Sequence, residues 1–451
     1  MASSEPEPTA SVPADLASAG ERAAEDVAQA VETSLETRSS LTLPPLRRWG
    51  AGYLAVLFVA QFVISIATLA PSTYSLAIRV QTMSPSDKDT MLALVLTIPA
   101  IAIIIVNPVV GILSDRTRSR LGRRRPWMLG GLVAGLVGLA IIGVAPGIPL
   151  VIVGWTIGYL GLIIAGSMMI THFGDALPEN QRGKVAGING AITQIGPIAG
   201  ILLSGALVQM PFLLFFVPGA LALLGSVAFL VRMKDPSTKE AVFEHVSIGG
   251  IFARMVFNPR KHKDFAWVWI SKAATFIALY LMSIYGVYFL GERLHLSQTA
   301  VAGLIATSGG IGILMTMIGA LGSGYLSDKI RRRRVLVVIA GGVLAAGLVI
   351  IATTASPTQY IVGGLVFALG TGIFGAVDQA LALDVLPDRV TPGRFLAING
   401  LANEIPKAIA PVVAALLVGI GGGGQYELVY IAAAVLALAG GLLVIPVKSV
   451  R

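Results

Sequence analysis

The sequence predicts an all-α, polytopic membrane protein: twelve transmembrane helices in two six-helix halves of like orientation. Three observations carry this. Hydrophobic residues make up 55% of the 451 and charged residues only 13%, with a mean hydropathy of +0.81. Soluble domains carry about 25% charged residues, so one water-soluble core does not fit this composition. The apolar residues fall in runs of roughly 20, the length that crosses about 30 Å of hydrocarbon, and the basic residues fall between the runs. Finally, one charged stretch, with its flanking segments, occurs twice.

Residues 1–40 are rich in Ala, Ser, Glu and Pro and hold eight acidic but only two basic residues. They show neither a basic start nor an apolar core, which speaks against a signal peptide, and too little apolar surface to fold alone. A disordered cytoplasmic tail is expected. The first half, 41–231, holds predicted helices over 48–70, 90–113, 127–145, 149–173, 184–208 and 211–231. A polar middle segment, 232–263, follows. The second half, 264–451, holds predicted helices over 264–290, 298–326, 335–355, 358–384, 394–419 and 426–447. Each boundary is marked by charge, by Pro or by Gly. Six arginines separate the second helix from the third, Arg182 and Lys184 separate the fourth from the fifth, and Arg331 to Arg334 precede the ninth. Arg389 and Arg394 precede the eleventh, and the run Gly421–Gly424 precedes the twelfth. The middle segment carries Arg232, Lys234, Lys239, Arg254, Arg260, Lys261 and Lys263, while the loops 146–149, 209–211 and 356–358 carry no charge. By the positive-inside rule the basic loops, the middle segment and both termini are cytoplasmic.

The net charge of +9 therefore reflects topology and anionic headgroups rather than nucleic acid. The chain has no cysteine and only four histidines, His172, His245, His262 and His295, none at metal-ligand spacing from another. No Gly-x-x-x-x-Gly-Lys-Ser/Thr loop is present, so direct nucleotide drive has no motif. No catalytic constellation, metal site or cofactor is expected. The expected partners are a small-molecule substrate and the lipid bilayer, with the chain a monomer.

The repeated stretch is a charged latch between two apolar runs: Gly111-Ile-Leu-Ser-Asp115-Arg116-Thr-Arg118-Ser-Arg120-Leu-Gly122-Arg123-Arg124-Arg125-Pro126. It returns as Gly324-Tyr-Leu-Ser327-Asp328-Lys329-Ile330-Arg331-Arg332. A carboxylate at the end of a span, such as Asp115, is costly unless a cation or a helix N-terminus meets it. The segment Asp175-Ala-Leu-Pro178 with Ile188-Asn189-Gly190 also returns, as Asp384-Val-Leu-Pro387 with Ile398-Asn399-Gly400, at nearly the same offset. Two halves of like orientation form a parallel repeat about an axis along the membrane normal.

The two latches resemble the gate motif of the major facilitator superfamily. The expanded first copy is similar to that of the sucrose/proton symporters and of the wider glycoside–pentoside–hexuronide cation symporters. The resemblance implies the major facilitator fold and alternating access, with substrate between the halves. It also implies a gate made of Gly111, Asp115, Arg116, Gly122, Arg123 and Arg124, and of Gly324, Asp328, Lys329 and Arg332. Two departures stand out: four extra residues separate Asp115-Arg116 from Gly122-Arg123, and Arg331 replaces a glycine of the general pattern. The branch points to a sugar or glycoside symporter coupled to protons, with sodium as the other candidate ion. A proton-coupled exporter of drugs or metabolites is the alternative, because Gly196-Pro197-x-x-Gly200 partly resembles the exporters' antiporter motif.

Charges inside spans usually line a cavity or pair. Glu404 lies roughly 15 Å into the eleventh helix, and Lys407 shares its face; the two are either an internal pair or a coupling carboxylate with its tuning lysine. Asp378 lies roughly 9 Å deeper in the tenth helix than Asp384, with no partner in its own helix. Lys272 on the seventh helix either snorkels to the headgroups or faces the bundle. Gln61, Tyr280 and Tyr285 complete the set of coupling and substrate candidates. Structural roles are expected for His172, by a hydrogen bond, for Asn189 and Asn399, by bonds between helices, and for Asp175 and Asp384, as carboxylates facing the latches.

Overall fold

The computed structural model describes residues 49–233, 235, 238, 257–330, 332–387, 392–420 and 424–447. The expected tail and most of the middle segment lie outside the described residues. Eleven described helices are long and apolar enough to cross a membrane, and a shorter apolar helix follows them. They are α1 (Ala51–Met83), α2 (Lys88–Asp115), α3 (Arg125–Val144), α4 (Ile148–Ala176), α5 (Glu179–Leu207), α6 (Pro211–Arg232), α7 (Lys263–Ile284), α8 (Gln298–Ile330), α9 (Arg333–Ala352), α10 (Pro357–Asp384), α11 (Pro392–Ile420) and α12 (Tyr426–Leu442).

Several boundaries differ from expectation: the fifth helix opens at Glu179 rather than 184 and the eighth runs to Ile330 rather than 326, and three more differences have a local cause. The first helix does not end at residue 70. It passes through Pro71 as a π turn, Pro71–Ser75, and runs on to Met83. Proline removes a backbone donor, and the Ser72 and Thr73 hydroxyls bond the Leu69 carbonyl at 2.9 and 2.7 Å, side chains supplying donors where the backbone ladder is interrupted. The seventh helix is not continuous to 290 but breaks at Tyr285 and resumes as Gly286–Arg293. The twelfth stops at Leu442 rather than 447 and turns over 443–446, since Pro446 disfavours helical backbone at the residue before it.

Helices α1–α6 pack with one another, as do α7–α12, and the two groups meet where α2 packs on α11 and α5 on α8. Small residues set the spacing within a half, as expected of helices that gain nothing from burying apolar surface against lipid. A Cβ on Gly138 of α3 would lie 2.2 Å from the backbone of Gly158 on α4. Gly196 and Gly200 press α5 onto α1 in the same way.

The halves are sealed at the end away from the latches. Tyr74 donates to the Gln298 carbonyl (2.7 Å), Tyr285 to the Asp89 carbonyl (2.8 Å) and Tyr288 to the Ala77 carbonyl (2.8 Å). Tyr426 donates to Asp89 Oδ1 at 3.0 Å, and Lys88 pairs with Glu292. Towards the latch end α5 and α8 part company. A Cβ on Gly205 would meet Ala302 at 2.7 Å, one on Gly309 would meet Ile198 at 3.5 Å, and one on Gly187, Gly190, Gly322 or Gly324 would meet open space. Most of 182–195 and of 321–330 is exposed. The bundle is closed at one end and open at the latch end.

Candidate functional site

The first latch is held by its own charges and by the segment after α6. Asp115 pairs with Arg124 at 2.5 Å, and Arg124 also donates to Ser114 Oγ at 2.5 Å, so the span-end carboxylate meets the cation it requires. Asp235 Oδ2 accepts from the backbone N–H groups of Arg124 (2.7 Å) and Arg125 (2.9 Å). Those amides open α3, where unpaired donors and the helix dipole favour a carboxylate. Gly122 has φ +90, and a Cβ there would lie 2.2 Å from Asp235 Cγ, so only glycine admits this cap. Thr238 adds a bond from its hydroxyl to the Thr117 carbonyl at 2.6 Å.

The second latch is wired differently. Arg333 pairs with Asp384 at 2.6 Å and donates to the Ala380 carbonyl at 2.8 Å. Asp328, the counterpart of Asp115, is exposed. Asp384 thus faces its latch as expected, while the side chain of Asp175 lies outside the described residues.

Two polar clusters occupy the middle of the bundle. In the first, Lys272 Nζ of α7 lies 2.6 Å from Asp378 Oδ2 of α10, with both residues buried (6% and 7% exposed). The snorkelling alternative for Lys272 is overturned, because its ammonium is turned inward onto a carboxylate. Asp378 finds in a neighbouring helix the partner its own helix lacks. The second cluster gathers on the seam between the halves. Lys407 Nζ of α11 lies 5.1 Å from the ring centroid of Tyr159 on α4. Beside it the Tyr280 hydroxyl donates to Asn403 Oδ1 at 2.5 Å. Glu404 is half-buried and within electrostatic reach of Tyr159, Tyr280 and Lys407. Glu404 and Lys407 do not form an ion pair with each other among the described residues. The expected internal pair is therefore absent: the lysine sits over a ring of the opposite half instead.

The remaining candidates separate. Gln61 is buried, and its Oε1 has no partner among the described residues. Tyr285 belongs to the seal, far from Lys407 along the helices. His172 has the structural role expected, bonded to the Tyr53 hydroxyl at 2.9 Å and stacked on Trp49. The expected interhelical bonds of Asn189 and Asn399 are not formed by their Oδ1 atoms, which have no partner among the described residues. Sequence reasoning missed Tyr159, Asn403 and Asp235. A tyrosine in the middle of a span rather than at its ends was the available signal for Tyr159, since tyrosines favour the interfaces.

Comparison with known proteins places this architecture. The family profile described as Major Facilitator Superfamily matches residues 51–392 and 313–450. Over 27 residues, 6% of this chain, the sequence is 70% identical to an uncharacterized symporter of Synechocystis sp.. Over 49 residues, 11% of the chain, it is 51% identical to the general alpha-glucoside permease of Schizosaccharomyces pombe. These stretches span 5% and 9% of the two relatives. Among solved structures, the chain is similar to a bacterial homolog of the human lysosomal transporter Spinster, inward-facing and unoccupied. That likeness has 13% identity and TM-score 0.63 over 88% of this chain and 96% of the other. It is also similar to the nucleoside transporter NupG, with 14% identity and TM-score 0.65 over 87% and 98%. At these identities the likeness is one of fold.

Proposed function

The chain belongs to the major facilitator superfamily, and we propose that it is a secondary active symporter for a sugar or glycoside, driven by protons, in the cytoplasmic membrane. One observation carries the reading: charged and hydroxyl-bearing side chains of both halves, Lys407 and Tyr159 above all, meet on the seam at mid-bundle. A solute held there is reached from one side when the bundle opens at one end and from the other side when it opens at the other. The short match to an alpha-glucoside permease supports a sugar, and the match to a symporter supports co-transport.

The charge pattern of the loops turns the latches and both termini to the cytoplasm, so the open end is the inward one. Within this scheme the buried pair Lys272–Asp378 serves coupling. Neither charge is tolerated alone in a low-dielectric interior, so a proton or cation that takes the carboxylate releases the lysine and alters how α7 sits on α10. Lys407, Glu404 and the Tyr280–Asn403 bond serve the solute. The test is uptake into proteoliposomes under an inward proton gradient, with labelled maltose, sucrose and uridine. Accumulation of maltose or sucrose, abolished by a protonophore, is expected. Accumulation of uridine alone, or uptake of a sugar indifferent to every ion gradient, would overturn the reading.

A further inference from the structure

Buried tyrosines in this bundle give their hydroxyl protons away. Tyr74, Tyr285, Tyr288 and Tyr426 each donate to a named carbonyl or carboxylate, and Tyr280 donates to Asn403. Tyr159 does not. It is 4% exposed, in the middle of α4, and its hydroxyl proton meets no acceptor among the described residues: the group beside it is the Lys407 ammonium, itself only a donor. Leaving a buried hydroxyl unpaired costs free energy, so such a group calls for a reason. Tyr430 is the other tyrosine of this kind, but it packs on Phe289 within the second half, beside the seal. Tyr159 alone of the two looks across the seam, with the Lys407 ammonium 5.1 Å from its ring. Thr97 on α2, a helix that packs on both α4 and α11, also leaves its hydroxyl unpaired instead of bonding back to its own helix.

We propose that Tyr159 is the first half's substrate-contacting residue: its hydroxyl hydrogen-bonds an oxygen of the transported solute, and its ring seats Lys407 while the carrier is empty. The inference rests on the transport reading above and gives the solute a chemistry. Tyr159 and Lys407 offer donors, and Glu404 and Asn403 offer acceptors. Neighbouring hydroxyls of a neutral ring use both at once, since each donates and accepts. A solute oxygen arriving at Tyr159 also takes Lys407 as a partner, so the contact that bridges the halves is exchanged for one made through the solute. Arrival of the solute is thereby felt by both halves.

Tyr159→Phe removes the hydroxyl and keeps the ring, and Tyr159→Leu removes both. Each is compared with the parent for expression, thermal midpoint and transport of maltose, sucrose and uridine in proteoliposomes. Tyr159→Phe is expected to express and melt nearly like the parent, because the hydroxyl it deletes has no acceptor for its proton and the ring beside Lys407 is kept. Its KM for the transported sugar should rise about ten-fold with the maximal rate kept, the size of one net hydrogen bond. Tyr159→Leu should also change the exchange rate, because Lys407 loses its seat. Monodeoxy analogues of the sugar give a second measurement that does not depend on the stability of a variant. The analogue lacking the contacted hydroxyl should bind the parent worse than the full sugar, with no such penalty in Tyr159→Phe. A KM in Tyr159→Phe equal to the parent's, with every monodeoxy penalty retained, would overturn the inference while the transport function stands. If the parent moves none of the three solutes, the proposed function falls, and Tyr159's role towards them falls with it.

Discussion

The two polar clusters of the bundle hold the same kinds of charge and differ in how completely those charges are answered. Lys272 and Asp378 lie within one half, buried and 2.6 Å apart. Lys407 and Glu404 lie on the seam, half-buried, near each other in the chain yet unpaired, with the lysine drawn to a ring of the other half. A closed pair has nothing to offer a sugar without first breaking. An open cluster is poorly satisfied without a ligand. Under the proposed symport, the contrast argues for coupling at the first pair and solute at the second cluster, although a charge census alone would treat Asp378 and Glu404 as equivalent carboxylates at similar depth.

The largest effect is expected where the closed pair is halved. Asp378→Asn leaves Lys272 buried without its counter-charge, and breaking a buried pair in this way costs about 3–5 kcal/mol. Low expression and no accumulation against a gradient should follow. Replacing both partners, Lys272→Met with Asp378→Leu, removes both charges and should restore expression, because apolar replacement of a whole buried pair is often neutral or stabilising. Accumulation should stay absent while counterflow exchange of labelled sugar persists. Gradient-driven accumulation by the double variant would break the comparison at its root, since the pair would then be structural only.

A smaller effect is expected on the seam. Lys407→Gln loses a cation–π contact worth about 0.5–2 kcal/mol and leaves behind only the half-buried Glu404, with no fully buried charge. It should express like the parent and lose about ten-fold or more in solute affinity, and Glu404→Gln should do the same more weakly. The measurement is binding of the transported sugar to purified protein, with thermal midpoint as the control. If Glu404→Gln instead binds normally and fails only to accumulate, coupling sits on the seam and the two roles must be exchanged.

The spans were legible because lipid leaves a chain few choices: long apolar runs, and charge or turn residues between them. The latch repeats were legible because they are local. What stayed hidden depends on which helix lies beside which. Lys272 and Asp378 come from different helices of the second half, and only the packing of α7 on α10 brings them together. Asp235 caps α3 from beyond α6, where no spacing rule applies. Pro71 reads as a stop in sequence, yet the helix continues through a π turn in which the Ser72 and Thr73 hydroxyls bond the Leu69 carbonyl. Tyr159 shows in sequence only as a tyrosine in mid-span; that its hydroxyl proton lacks an acceptor becomes visible only against the tyrosines around it that donate.

The smallest effect sharpens the edge of the open cluster. The Tyr280 hydroxyl and Asn403 Oδ1 are 2.5 Å apart, beside Glu404 and Lys407. If this bond only braces α7 against α11, Tyr280→Phe and Asn403→Ala should each lower the thermal midpoint, and the double variant should be no worse than the weaker single one. If the bond presents Asn403 to the solute, both changes should also raise KM by about two- to ten-fold, the span of one net hydrogen bond at 0.5–1.5 kcal/mol. The second pattern is expected, because the pair flanks Glu404 and Lys407, which close no ion pair with each other among the described residues. The Lys272–Asp378 pair provides the contrast: the cycle across Tyr280 and Asn403 should show its coupling energy in solute binding, and the cycle across Lys272 and Asp378 should show it in folding. Coupling in folding alone at both places would mean that the seam is as closed as the pair, and that the solute is held by other side chains of the cleft.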